Sequence, residues 1–458
     1  VQAAIEHVRA HQAYYLSQLF ALLRLPSVSA KAEHRTDMMD TASWLAADMA
    51  WAGFEHVQVM PTAGHPVVYA DWLHASADAP TVLVYGHYDV QPAEPLDLWE
   101  SAPFEPVVRE GRIYARGATD DKGQAFIHIK AVESMLAASG SLPVNVKVLF
   151  EGEEEIGSPH LEPFVEEHSG MLAADIVLVS DTSFLTPEQP LILYGLRGIV
   201  GAEVTITGPK RDLHSGGYGG TVHNPAQALV GILSKLHDEH HRVAIPGFYD
   251  TVRVPGEDER SALRRVPYTL AQWQQETGLQ IPWNEPGCSL VEQTGARPTC
   301  EINGIYGGWQ GEGIKTIIPA SAGAKITMRL VPDQNPDEIG RLFAEYIRSL
   351  APDDLTLNVE LKEGGWPLLT PVDSPAVQAA AQAYETIWGA APITMPGGGS
   401  IPILAVLQQR LRAQVVLFGF GVPDSNGHAP NEFFPVDQFY RGMEAVVRYY
   451  HNLVEDNG

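Results

Sequence analysis

The sequence predicts an α/β protein, with a large domain built on a mainly parallel sheet flanked by helices and a smaller α+β domain inserted within it. Three observations predict this. Short apolar runs alternate with helical patterns over the first 190 residues or so. After Gly198 the pattern changes to longer, alternating strands. A length of 458 residues also exceeds what one hydrophobic core usually holds. The expected boundaries are 1–196 and 369–458 for the large domain, and 197–368 for the inserted one.

In the large domain, Thr81–Tyr85 (TVLVY) reads as a short buried strand, and Val144–Phe150 (VNVKVLF) as another. Ile176–Val179 and Gln414–Phe418 complete the set. Phe126, Ile129, Val132 and Leu136 fall at helical spacing and predict a helix over 123–138, with a second at 161–167. In the inserted domain, Val200–Thr207, Ala322–Leu330 and Leu355–Leu361 read as strands. Pro225–His237 and Asp337–Leu350 read as helices, an order that suits helices on one face of an antiparallel sheet. A stretch rich in Pro, Arg and Trp, 241–299, interrupts them. Helices at 374–388 and 439–453 return the chain to the large domain.

Composition narrows the function. A formal charge of −26 argues against nucleic acid or an anionic membrane as partner, since both are polyanions. An anionic substrate would then need a local cluster of positive groups. Cys288 and Cys300 are the only cysteines, which excludes a disulfide framework and a thiolate-rich metal site and suits a reducing compartment. No apolar run approaches transmembrane length. Residues 1–25 read as one amphipathic helix and not as a signal peptide, because polar residues interrupt them throughout. The chain starts without Met, so a short leader is expected before Val1. The expected location is cytoplasmic.

The chemistry-bearing residues follow the apolar runs. His87 and Asp89 sit two apart at a strand end, so they point the same way if the strand continues. His87 would bind a metal and Asp89 would orient its ring. In isolation, a turn histidine capped by an aspartate is the better explanation of the pair, since His-x-Asp alone is a weak motif. Asp120 and Asp121 precede a helix and could cap it, but two adjacent aspartates exceed what one cap needs. Two dications sharing a site about 3.5–4 Å apart require a bridging carboxylate. Asp120 is assigned that role and Asp121 a structural one. In Glu153-Glu154-Glu155, three carboxylates repel unless something positive compensates. Glu155 would ligate, while Glu154 would stay free to move a proton. Asp181 and His428 follow further runs. Each alone could be a turn residue; the case rests on the set, because unrelated caps are not expected at so many successive strand ends. His128 and the His237–His241 cluster read as helix-face or loop residues.

The strings YGHYDVQP, RGATDDKG, EGEEEIGS, YGLRGI, DLHSGGYGG and GGGSIP resemble the M20 metallopeptidase family, and most of all its carnosinase-type cytosolic nonspecific dipeptidases. The resemblance runs from about Leu19 to the C-terminus. It implies a ferredoxin-like lid and dimerisation domain, and two zinc ions per subunit, with manganese or cobalt as alternatives. His87 and Asp181 would hold one ion, Glu155 and His428 the other, with Asp120 and a water bridging them. It makes Glu154 the general base and Asp89 the residue steering His87, and it implies a cis peptide between Asp120 and Asp121. It further implies that His214 of a partner subunit stabilises the oxyanion. Arg329 and Thr316 would hold the substrate carboxylate, with Ser400 and His428 also contacting substrate. The 241–299 segment departs from the family's layout, which leaves side-chain preference open.

The expected activity is hydrolysis of short peptides with a free C-terminal carboxylate by a zinc dipeptidase homodimer. Related amidohydrolases are the nearest rivals: an N-acyl-amino-acid deacylase, a succinyl-diaminopimelate desuccinylase or a carboxypeptidase. A non-catalytic binding protein on the same fold is a rival of another class, but it predicts a missing ligand or base, and none is missing.

Overall fold

A computed structural model describes residues 1–362 and 364–455. The chain divides into two compact units, one of residues 1–194, 370–394 and 406 onward, the other of 195–369 and 395–405.

The first unit is organised by a six-stranded sheet. Its order is Glu55–Met60, Val67–Trp72, Asn145–Glu151, Thr81–His87, Ile176–Val179 and Gln414–Leu417. The last four strands run parallel, and the first two pair antiparallel. Thr81–His87 and Asn145–Glu151 are buried at every position after the first. That is why they read as continuous apolar runs, since a parallel sheet covered on both faces has no polar side to show. Glu55–Met60 and Val67–Trp72 were not foreseen. The first is a partly exposed edge strand with mixed polarity, and the second carries the buried Asp71 within its apolar run.

Helices Lys122–Ser139, Pro375–Trp388 and Val436–Glu455 pack together and share the main core with the sheet. The N-terminal segment is two helices, Gln2–Ala10 and Gln12–Leu23, and not one. The break falls at His11 (φ −111°, ψ 10°), whose ring hydrogen-bonds to the His7 carbonyl at 2.8 Å.

The second unit holds a four-stranded antiparallel sheet in the order Thr299–Gly307, Ser321–Leu330, Gly198–Thr207, Thr356–Leu361. Helices Pro225–Leu233 and Pro336–Ser349 cover one face and share its core. Chain order and strand order together give the ferredoxin-like arrangement. Gly198–Thr207 alternates buried and partly buried along most of its length, as a sheet covered on one face should. The helix expected to reach His237 stops at Leu233, because His237 instead makes an isolated bridge with Val243. The stretch 241–299 forms three short helices, Glu257–Arg265, Leu270–Thr277 and Leu290–Ala296. Residues 395–405, expected in the large domain, cluster with the second unit, where the Gly398 carbonyl accepts from Arg197 and Ser400 from Arg329.

Candidate metal centre

Parallel register brings the strand ends of the first unit to one edge. His87 ends its strand opposite Glu151, so the loop carrying Glu153–Glu155 starts beside it. Ile176–Val179 runs alongside and leads directly to Asp181. Gly86 is required here: a Cβ on it would lie 2.9 Å from Asp121 Oδ2 and 3.1 Å from Ala125 Cβ, so a side chain would push the Asp120–Asp121 turn away. The Asp120–Asp121 peptide is cis.

Two groups of side chains that could each hold a metal ion result: His87, Asp120 and Asp181, and Asp120, Glu155 and His428. In each group the donor atoms lie within 4.8 Å of one another, and Asp120 belongs to both. Its Oδ1 is 3.1 Å from His87 Nε2 and its Oδ2 is 2.8 Å from His428 Nε2. One carboxylate thus offers one oxygen to each side. His87 Nε2 lies 3.8 Å from Asp181 Oδ2, and His428 Nε2 lies 3.3 Å from Glu155 Oε2.

Charge explains why such a cluster needs cations. Two like charges about 4 Å apart repel by roughly 4 kcal/mol at an effective dielectric near 20, so several buried carboxylates cannot all stay ionised unaided. Burial, reinforced by the Asp120 charge, pushes Glu155 up to about 8 and Asp181 up to about 7. Burial also raises Glu154. Burial would raise Asp120 too, but hydrogen bonds from His428 and His87 override it and hold that carboxyl low. His428 is raised to about 9, chiefly by its bond to Asp120. Nitrogen and oxygen donors without thiolate suit zinc, manganese or cobalt.

The supporting residues separate by what they touch. His87 Nδ1 is 3.0 Å from the Asp89 carbonyl and 3.4 Å from its carboxylate, so Asp89 restrains the ring mainly through its backbone. The Asp89 carboxylate accepts from the Glu154 and Glu155 backbone N–H groups at 3.2 and 3.1 Å, fixing the acidic turn. Glu153 faces elsewhere, accepting from the His65 backbone N–H and pairing with His160 Nδ1 at 2.8 Å. Asp121 is fully buried and makes no side-chain cap to the helix it precedes.

Sequence reasoning missed two residues. Gln91 Nε2 donates to Glu155 Oε2 at 2.8 Å. Glu432 is completely buried, and its carboxylate accepts from Arg116 Nη1 (2.6 Å) and from the backbone N–H groups of Gly117, Thr119 and Asp120 (2.9–3.1 Å). It therefore holds the turn that presents Asp120. The available signal was an acidic residue four positions after His428 and directly before the apolar pair Phe433-Phe434.

The remaining expected residues belong to the second unit. Leu213–His214 pairs with Ile317–Ile318, and the Ser215 N–H donates to the Thr316 carbonyl at 3.0 Å, so His214 and Thr316 are neighbours. His214 is exposed, and its Nδ1 accepts from the Gly216 N–H at 3.0 Å. That bond leaves Nε2 to carry the ring proton of the neutral form. Arg329 Nη1 donates to Ser400 Oγ at 2.8 Å.

Comparison with known proteins agrees with this geometry. The profile of peptidase family M20/M25/M40 matches residues 83–452. The Cys-Gly metallodipeptidase dug1 of Schizosaccharomyces pombe is 32% identical over 456 residues, covering 96% of this chain and 95% of that protein. The Beta-Ala-His dipeptidase of Homo sapiens is 31% identical over 395 residues, 85% of this chain and 78% of the relative. The crystal structure of the M20 family metallo-carboxypeptidase Sso-CP2 from Sulfolobus solfataricus superposes with a TM-score of 0.84. It is 32% identical and covers 96% of this chain and 99% of that one. Strand-end ligands, a shared carboxylate and these likenesses together lead to one conclusion: the chain belongs to peptidase family M20/M25/M40 and is a metallopeptidase akin to its dipeptidases.

Proposed function

We propose that this protein is a two-zinc dipeptidase that cleaves the amide bond of short peptides bearing a free C-terminal carboxylate. The observation that carries the reading is Asp120, shared between two groups of metal-competent side chains. Relatives named as Cys-Gly and Beta-Ala-His dipeptidases support the substrate class. When bound, the ions would polarise the scissile carbonyl and acidify water.

The chain's own residues then divide the work. His87 and Asp181 would hold one ion, Glu155 and His428 the other, and Asp120 would serve both. Asp89 keeps the His87 ring in place. Glu154 belongs to neither ligand group, and burial raises its affinity for a proton. It takes the proton from the attacking water and delivers it to the departing amine nitrogen. His214, protonated at Nε2, donates to the oxyanion of the tetrahedral intermediate. In this proposal it comes from the partner subunit of a homodimer, with residues 197–368 serving as lid and dimerisation domain. Thr316, Arg329 and Ser400 receive the substrate carboxylate, since a guanidinium matches a carboxylate bidentately, and His428 also lines the substrate site. A cytoplasmic location fits two cysteines without a disulfide framework. Among the described residues, no helix is long and apolar enough to cross a membrane.

Likeness to a metallo-carboxypeptidase supports a second reading, in which longer peptides lose their last residue. A substrate panel on chelated enzyme separates the two, with zinc, manganese and cobalt added back singly. Zinc should restore the highest turnover, and dipeptides should outrun both longer peptides and N-acyl amino acids. Faster cleavage of the longer peptides would establish the carboxypeptidase, and faster release of acyl groups the deacylase. Mixing inactive His214→Ala with inactive Glu154→Gln tests the shared site. Random exchange should restore about a quarter of wild-type activity, because half the dimers then carry one complete site. No recovery despite verified subunit exchange would place His214 outside the partner's chemistry.

A further inference from the structure

We propose that Arg197 is a positioning residue for the carboxylate end of the substrate, locking residues 397–400 so that Ser400 can hold the Arg329 guanidinium. The inference rests on the reading of Arg329 and Ser400 as carboxylate-binding residues. Arg197 binds the loop at three points. Its N–H donates to the Gly399 carbonyl at 2.9 Å, its Nε donates to the Gly398 carbonyl at 2.8 Å, and its carbonyl accepts from Ser400 Oγ. The last bond uses the only proton of that hydroxyl, so the Ser400 oxygen is left to accept from Arg329 Nη1 at 2.8 Å. A flexible Gly397-Gly398-Gly399 run could not hold a serine in one place without such bonds.

Two further observations agree. Arg329 pairs with Ile199 across the sheet, so Arg197 lies two residues along the neighbouring chain, a diagonal step that reaches between side chains on one face. Burial and then the Arg329 charge lower the Arg197 guanidinium to about 10, against the opposing pull of Glu301, so the two cations act on one another. A ligand carboxylate would relieve that repulsion. The 241–299 segment backs the same loop from its far end. Gly295, buried in helix Leu290–Ala296, leaves room for Pro396: a Cβ there would lie 2.5 Å from Pro396 Cγ and 2.6 Å from its carbonyl oxygen. A Cβ on Gly398 would likewise lie 3.2 Å from the Thr294 carbonyl oxygen.

The test compares a dipeptide with its C-terminal amide, using metal-loaded Arg197→Lys, Gly295→Ala and Arg329→Ala enzymes. Lysine keeps the charge but not the guanidinium's fixed Nε bond. For Arg197→Lys we expect KM of the free dipeptide to rise about tenfold with kcat within about threefold, and the preference for carboxylate over amide to fall about tenfold. Gly295→Ala should shift the same two quantities in the same direction, and Arg329→Ala should shift them more. Metal content should not change in any of the three. If Arg329→Ala loses the preference while folded Arg197→Lys keeps it, the Arg197 proposal is wrong and the Arg329 reading stands. If Arg329→Ala keeps the preference, that reading fails and the Arg197 role fails with it. Should Arg197→Lys not fold, Gly295→Ala decides by the same criterion.

Discussion

The acidic cluster of the first unit and the arginine cluster of the second are built on opposite surpluses. Around Asp120, side chains from five chain segments crowd carboxylates that burial drives toward protonation. Around Arg197, two guanidiniums compete and burial drives one toward losing its charge. Each cluster is fixed by groups that answer its own backbone: Asp89 and Glu432 accept N–H groups at the acidic site, while Arg197 donates to loop carbonyls at the basic one. An electrostatic surplus held rigidly is a site waiting for the opposite charge. In the proposed reading the first receives divalent cations and the second a substrate carboxylate. A chain of net charge −26 needs the second device if its substrate is an anion.

The comparison breaks most sharply at Glu154. Glu154→Gln keeps size and hydrogen bonding but cannot take a proton. Turnover should fall by about 10²–10⁴-fold while both ions remain bound, as read by steady-state kinetics and elemental analysis on one sample. Glu155→Gln should instead release metal first. The reverse pattern would exchange the two roles.

A smaller effect is expected at Glu432, which no substrate touches in this scheme. Glu432→Gln leaves Arg116 buried without its ion pair and loosens the turn that presents Asp120. Metal affinity, measured by competition with a chelator, should drop about 10–100-fold. Unchanged affinity would show that the Asp120 turn holds itself.

The smallest effect concerns a histidine outside the metal centre, one kept neutral by burial. His128 is fully buried, bonds Ser180 Oγ at 2.6 Å and is lowered to about 3 by burial alone. Between pH 6.5 and 3 the unfolded chain therefore binds a proton at this site that the folded chain refuses, so stability falls as pH falls. From pH 7 to pH 5 this group alone should remove about 2 kcal/mol. His128→Gln should flatten that part of the pH dependence of the denaturation midpoint, even if it lowers stability at pH 7. An unaltered pH slope would mean that His128 titrates normally.

Much of this protein was legible in its residues. Thr81–His87, Asn145–Glu151 and Ile176–Val179 announced themselves because buried parallel strands must be apolar throughout. His87, Glu155 and Asp181 drew notice as polar groups at or just after such strands, whereas Asp120 and His428 sit on longer loops and stood out only as part of the set. The split in Glu153–Glu155 was half legible. Roles for Glu154 and Glu155 could be assigned, but nothing local told that Glu153 turns to His65 and His160. Strand Thr299–Gly307 stayed hidden because it is an edge strand with mostly exposed positions, and so lacks the alternation that burial imposes. Sequence alone determined the chemistry available and its spacing along the chain, because residue type and periodicity are local properties. Tertiary structure alone decided that Glu432 reaches back over 300 residues to hold the turn presenting Asp120, and that Arg197 grips a glycine loop some 200 residues ahead. Those contacts follow from how strands align in a sheet, and alignment is settled by packing between segments that carry no trace of one another in sequence.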